Sequence, residues 1–198
     1  KTNISGGSVT AAQAIRICAG TLNVTGGTIT CTAVSDGKDL IAGGSGGTLG
    51  AIVVGKASDG YVGNIDVNVS GNAVVENTAE RNGPNAVYPT IVVSDKNMAK
   101  NTEQTIKNPD GSNSGQKFKY SETSTSVSID ATVEGDIVKI SNVTEGADTQ
   151  DGGNTSLDIT GGTVTGNVIN QTKEGDVGIS GSNITGNVTN KSKGEVVI

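Results

Sequence analysis

The side chains able to do chemistry are few, and what is missing narrows the field first. The 198 residues contain no His, one Met and two Cys, which excludes Ser-His-Asp and Cys-His nucleophiles and imidazole metal sites. Carboxylates remain. A glycoside hydrolase needs two of them about 5–10 Å apart across the sugar. The candidates are Asp66 with Glu76, and Asp136 with Asp158 and Asp176 in successive turns of the chain. A polysaccharide lyase needs a basic group, and the arginines are Arg16, between Ile15 and Ile17 on an outward face, and Arg81, in Glu80-Arg81-Asn82-Gly83. Asp136 and Asp176 each follow a Gly where a strand begins, and Asp there is ordinary turn chemistry. The sequence therefore assigns no catalytic, cofactor-binding or metal-binding residue.

Two turns, Asp36-Gly-Lys-Asp39 and Glu145-Gly-Ala-Asp148-Thr-Gln-Asp151, gather oxygen ligands that would suit Ca²⁺. Neither has the spacing of an EF-hand loop or a nonapeptide calcium roll, so solvated acidic turns are the preferred reading. Sugar binding usually employs aromatic faces, and only Tyr61, Tyr88 and Tyr120 are on offer. Cys18 and Cys31 would bridge neighbouring coils in an oxidising compartment or else serve as small buried hydrophobes; the second reading is slightly preferred. Nine Asn-x-Ser/Thr matches, Asn3 and Asn187 among them, arise easily by chance in so Asn- and Thr-rich a chain.

What would position these groups is written more clearly. One phrase recurs five times: 3–10 (NISGGSVT), 22–30 (LNVTGGTIT), 67–74 (VNVSGNAV), 157–165 (LDITGGTVT) and 177–185 (VGISGSNIT). Its apolar residues stand two apart and then five apart, as in Leu22, Val24, Ile29 and Leu157, Ile159, Val164. A step of two keeps side chains on one face of a strand, whereas a step of five reverses the face unless the chain bends between them. Gly26-Gly27 and Gly161-Gly162 supply that bend. Both legs then point inward, which is one coil of a parallel β-helix. Ile137, Leu157, Val177 and Val197 fall at steps of 20, and Asn167 is expected to stack over Asn187 and Asn170 over Asn190. The longer interval from Val24 to Val69 reads as two coils with a short excess around Gly43–Gly47. Residues 95–126 interrupt the rhythm and read as a loop protruding from a corner, turned at Asn108-Pro-Asp-Gly111 and pinned by Phe118 and Tyr120.

The balance of 14 basic against 20 acidic residues, net −6, argues against nucleic acid. No apolar run reaches the roughly 18–20 residues needed to insert in a bilayer. The chain opens at Lys1 without Met and closes on Val196-Val197-Ile198 within an apolar strand pattern, as expected of a segment of a longer protein. The Gly/Thr-rich stretches Val24 to Ala33 (VTGGTITCTA) and Leu40 to Val54 (LIAGGSGGTLGAIVV) resemble right-handed β-helix repeats of large secreted surface proteins of gut-type Gram-positive bacteria. The resemblance covers about residues 1–75 and 155–198 and implies an extracellular or cell-surface location, beside carbohydrate-binding or enzymatic modules.

The expectation is an all-β, right-handed parallel β-helix of about 20 residues per coil. It forms a single domain over 1–198, with 95–126 inserted as a loop. Its expected role is that of a non-enzymatic structural or adhesive segment. A glycan-binding module using 76–89 and 95–126 and the scaffold of a polysaccharide-degrading enzyme are the alternatives. The expected partners are host or plant glycans, surface proteins and adjacent domains of the same chain.

Overall fold

A computed structural model of the protein describes residues 1–34, 49–55, 64–80, 87–94, 103–119, 124–140, 155–172 and 175–198. They are all-β. In chain order the strands are β1 (Thr2–Ala11), β2 (Gln13–Ile17), β3 (Gly20–Cys31), β4 (Gly50–Val54), β5 (Ile65–Asn77) and β6 (Pro89–Ser94). β7 (Glu103–Lys107) and β8 (Asn113–Lys119) are followed by β9 (Thr125–Glu134), β10 (Asp136–Ile140), β11 (Thr155–Val164) and β12 (Val168–Gln171). Four short strands complete the chain: β13 (Val177–Ile179), β14 (Asn183–Ile184), β15 (Val188–Asn190) and β16 (Val196–Val197).

The strands alternate between two sheets as the chain advances. The first sheet runs β1-β3-β5-β9-β11-β13-β16, with β14 beside β11, and the second runs β2-β4-β6-β10-β12-β15. Every pairing within both is parallel. Long parallel sheets visited in turn are consistent with a β-solenoid.

The two-then-five spacing works as expected. Leu22, Val24 and Ile29 are all inside, as are Leu157, Ile159 and Val164. The strand does not break at the glycines; it bends, and the pairing register shifts there, between Val24 and Gly26 and between Ile159 and Gly161. Gly27 at φ +86 and Gly162 at φ +74 lie in the left-handed region. A Cβ on either would also collide with the neighbouring strand, at the Gly7 carbonyl oxygen for Gly27 and at the Ala131 carbonyl oxygen for Gly162. Glycine is thus required twice over, by backbone angle and by the strand alongside.

The expected step of 20 is only locally right. Thr2 pairs with Leu22 and Asp158 with Gly178, as that step requires. Val24, however, pairs directly with Val69, so the stretch between them belongs to one circuit rather than two. Val67 pairs with Val127, and Val127 with Leu157. Ile137 is not in the Leu157 column: it lies in the second sheet between Ile91 and Val168. At the far end Val177 pairs with Val196, not Val197. Aliphatics stand at matching intervals in both legs, so counting by 20 jumps from one sheet to the other unnoticed.

The segment between β6 and β9 contains a structured element. β7 and β8 form an antiparallel hairpin. Its turn is closed by the Gly111 N–H donating to the Asn108 carbonyl at 2.9 Å and by the Ser112 N–H donating to Asp110 Oδ1 at 2.9 Å. Thr125 and Ser126, read from the sequence as the end of the loop, pair with Ile65 and Asp66 and belong to β9.

The aliphatic core lies between the two sheets and runs from Ile17 and Leu22 to Val177 and Ile179. Burial of each such side chain stabilises by about 1.5–3 kcal/mol.

Candidate functional site

The carboxylates put forward from the sequence are not brought together as supposed. Asp136 opens β10 in the second sheet, whereas Asp158 lies within β11 and Asp176 at the entry to β13, both in the first. Asp136 is buried, at 2 % exposure, and its oxygens are occupied. The backbone N–H of Tyr88 donates to Oδ2 at 2.8 Å, and the backbone and side-chain N–H groups of Asn167 donate to Oδ1 at 2.8 Å each. The same role passes along the corner: the Asn187 N–H donates to Asn167 Oδ1 at 3.0 Å. Asp176 does likewise at a second corner, where Oδ1 takes the Glu195 N–H at 2.6 Å. These carboxylates hold the chain as it enters a strand.

Asp66 and Glu76 lie on β5, on either side of its bend at Gly71, where φ is +66. The neighbour that matters for Glu76 is Glu134, directly opposite it on β9. Parallel strands run about 4.8 Å apart. Thr30 Oγ1 donates to Glu76 Oε1 at 2.8 Å. This alignment was missed from the sequence, yet a signal existed in Val74-Val75-Glu76 and Thr132-Val133-Glu134, each an inward Val followed by an outward Glu.

The carboxylate pair sits on a broad polar face. Outward positions of the first sheet form columns: Ser8, Thr28, Val74 and Thr132 in one, and Thr10, Thr30, Glu76 and Glu134 in the next. A third column is an amide ladder, with Asn23 Nδ2 donating to Asn3 Oδ1 at 2.8 Å and Asn68 Nδ2 to Asn23 Oδ1 at 3.1 Å. No strand of this sheet contains Lys or Arg, although Asp66, Glu76, Asp130, Glu134 and Asp158 all belong to it. The described cations lie elsewhere, among them Arg16 on β2, Lys107 and Lys117 on the hairpin, and Lys139 on β10.

Lys139 is fully buried and takes the inward place held by Ile17, Val54 and Val93 on the preceding strands. Its Nζ donates to the Thr155 carbonyl at 2.8 Å and the Asp176 carbonyl at 2.5 Å. Beside it Asn170 Nδ2 donates to the Gly175 carbonyl at 2.6 Å, and Thr172 Oγ1 donates to Asn170 Oδ1 at 2.7 Å. A buried lysine side chain whose Nζ reaches carbonyls of two later segments ties together three circuits of the chain. From the sequence it is an ordinary strand lysine.

Arg16 is exposed on β2, as expected, and lines a cavity of about 520 Å³ at the first circuit with Ile4, Ile15, Cys18 and Leu22. Cys18 and Cys31 are free thiols. Cys31 is buried, its Sγ donates to the Ala12 carbonyl at 3.3 Å, and burial raises its pKa above the usual 9.0. Tyr88 is buried, so it offers no face for stacking a sugar. Arg81, Tyr61, Tyr120, the Phe118 side chain, Gly43–Gly47 and both acidic turns, 36–39 and 145–151, lie outside the described residues. Among the described residues no three Cys, Asp or Glu side chains converge to hold a metal.

Comparison with protein-family models, with curated proteins and with solved structures returns no match to this chain.

Proposed function

We propose that the chain is a right-handed parallel β-helix whose circuits are about 20 residues at its two ends and longer between them, serving as a non-enzymatic structural and adhesive segment of an extracellular bacterial surface protein. Right-handedness follows the strong preference of crossovers between parallel strands. The observation that carries the functional reading is the use made of the carboxylates. Asp136 and Asp176 receive backbone N–H groups at corners, while the outward face of the first sheet is a regular lattice of short polar side chains. Such a surface suits multivalent contact better than bond cleavage. The test is adhesion of protein-coated beads to glycan-bearing surfaces, run beside an assay for release of reducing ends from the same glycans. Retention without cleavage supports the reading; cleavage abolished by Glu76→Gln or Glu134→Gln would overturn it in favour of an enzyme scaffold.

A glycan-binding module is the second reading, favoured by the Glu76–Glu134 pair set among hydroxyl columns. Carboxylates and hydroxyls are the usual acceptors for sugar hydroxyls. Specific retention of one glycan class on an array, lost with the double Gln variant, would distinguish it from a purely structural stalk.

A further inference from the structure

We infer that the outward face of the first sheet is a docking surface for an extended cationic polysaccharide, a chain of unacetylated amino sugars. The inference rests on the adhesive reading above and specifies its partner. From β1 to β11 the alternate, outward positions are Ser, Thr, Asn, Asp or Glu, with Val74 the exception. The five carboxylates of this face meet no Lys or Arg on any of its strands. They are not scattered. Glu76 faces Glu134 across β5 and β9, while Asp158 pairs with Ser128, the outward position next to Asp130 on β9, so four of them cross three adjacent strands. A face whose strands carry charge of one sign, with the described cations on the second sheet, on the hairpin and near the two ends of the chain at Lys1, Lys191 and Lys193, attracts a partner of opposite charge and loses that attraction in salt.

The same face says what kind of cation fits. Peptide ligands draw most of their affinity from apolar or aromatic anchors seated in pockets, and here the outward side chains are short and polar. A sugar chain carries a hydroxyl or ammonium group on every ring and has no such need. Ammonium groups would meet Glu76, Glu134, Asp130 and Asp158, and ring hydroxyls the intervening Thr132, Ser128 and Thr163.

The test titrates the intact chain with a glucosamine hexamer, the N-acetylglucosamine hexamer and hexalysine. The glucosamine hexamer is expected to bind, about ten-fold more weakly in about 500 mM than in about 50 mM salt. The acetylated hexamer, lacking the charge, is expected to bind at least about ten-fold more weakly. Glu76→Gln with Glu134→Gln should weaken binding about five-fold, whereas Asp110→Asn in the hairpin turn, which removes a charge outside the first sheet, should leave it unchanged. An unchanged circular dichroism spectrum confirms that the variants are folded. Equal binding of the acetylated hexamer overturns the inference while leaving the adhesive reading intact. Tighter binding of hexalysine, or an equal loss in Asp110→Asn, overturns it by showing a peptide surface or mere net charge. Absence of binding by every probe overturns the inference, while the adhesive reading is decided by the bead assay above.

Discussion

The two sheets of this molecule are made from the same alternating chain yet solve opposite problems. Strands of the first are long, 10 to 13 residues in β1, β3, β5, β9 and β11; β9 alternates along its whole length, and β5 begins buried, exposed, buried, exposed, buried. Strands of the second are 4 to 6 residues in β4, β6, β10 and β12, and β4, β6 and β10 are buried on both faces. Val92, Val138 and Ile140 make a small apolar cluster separate from the main core. Parallel sheets are ordinarily covered on both sides. Here only the second follows that rule, while the first keeps one side polar. The lesson is that Val-rich runs and runs that alternate with Thr or Asn mark different walls of the stack: Ile52-Val53-Val54 and Ile91-Val92-Val93 are covered, while Leu22-Asn23-Val24-Thr25 keeps its alternate residues accessible.

The contrast can be broken most forcefully by placing the same charge on each wall. Val138→Asp puts a carboxylate in a fully buried position of the second sheet and is expected to lose about 3–5 kcal/mol or prevent folding. Ser8→Asp, outward and exposed on the first sheet beside Thr28, should stay within about 0.5 kcal/mol of the parent in urea unfolding. Comparable losses would show that the first sheet is covered too.

Glycine substitutions sharpen the comparison next. Gly162→Ala meets both the left-handed backbone and the Ala131 carbonyl and should cost about 2–3 kcal/mol. Gly6→Ala, with nothing within 4 Å of the added carbon, should change stability by less than about 0.5 kcal/mol. Thermal melts of the pair check this, and a neutral Gly162→Ala would show that the bend relaxes freely.

Asp136→Asn is expected to cost about 1–3 kcal/mol, because its amide would turn a donor toward a donor at Tyr88 or Asn167. Chemical denaturation measures it; no change would mean that the corner carboxylate contributes no more than the amide at Asn167.

The smallest effect is in the thiols. Burial raises the pKa of Cys31, so the folded state holds its proton more tightly than the unfolded chain does. The associated stability is fully present below the ordinary value of 9.0 and declines as pH rises through it. Cys18, part-exposed at the cavity, should react with a thiol reagent at about pH 8 well before Cys31 does. Equal labelling rates in the folded protein would contradict the burial of Cys31.

Legibility from sequence followed the same division. Leu22, Val24, Ile29 and their repeats were assigned to the interior correctly, because the alternation along a strand and a glycine bend are local facts. The stacking of Asn167 with Asn187 and of Asn170 with Asn190 was legible for the same reason, since those coils follow one another directly in the chain. The Glu76–Glu134 neighbours were not, because a long detour of chain, hairpin included, separates them. Lys139 was illegible for a different reason. Its burial depends on carbonyls at Thr155 and Asp176, in later circuits, which no local pattern announces.

The amino-acid order by itself determined that strands bend at glycine, face their aliphatics inward and run parallel. These follow from backbone sterics and side-chain alternation within a single repeat of the phrase. Only the tertiary structure decided which strands are neighbours, and hence which carboxylates meet. Lengthening the chain between two strands adds closure entropy only logarithmically. A circuit as long as that from Val67 to Val127 therefore stacks almost as readily as one as short as that from Thr2 to Leu22, and periodicity does not register the detour.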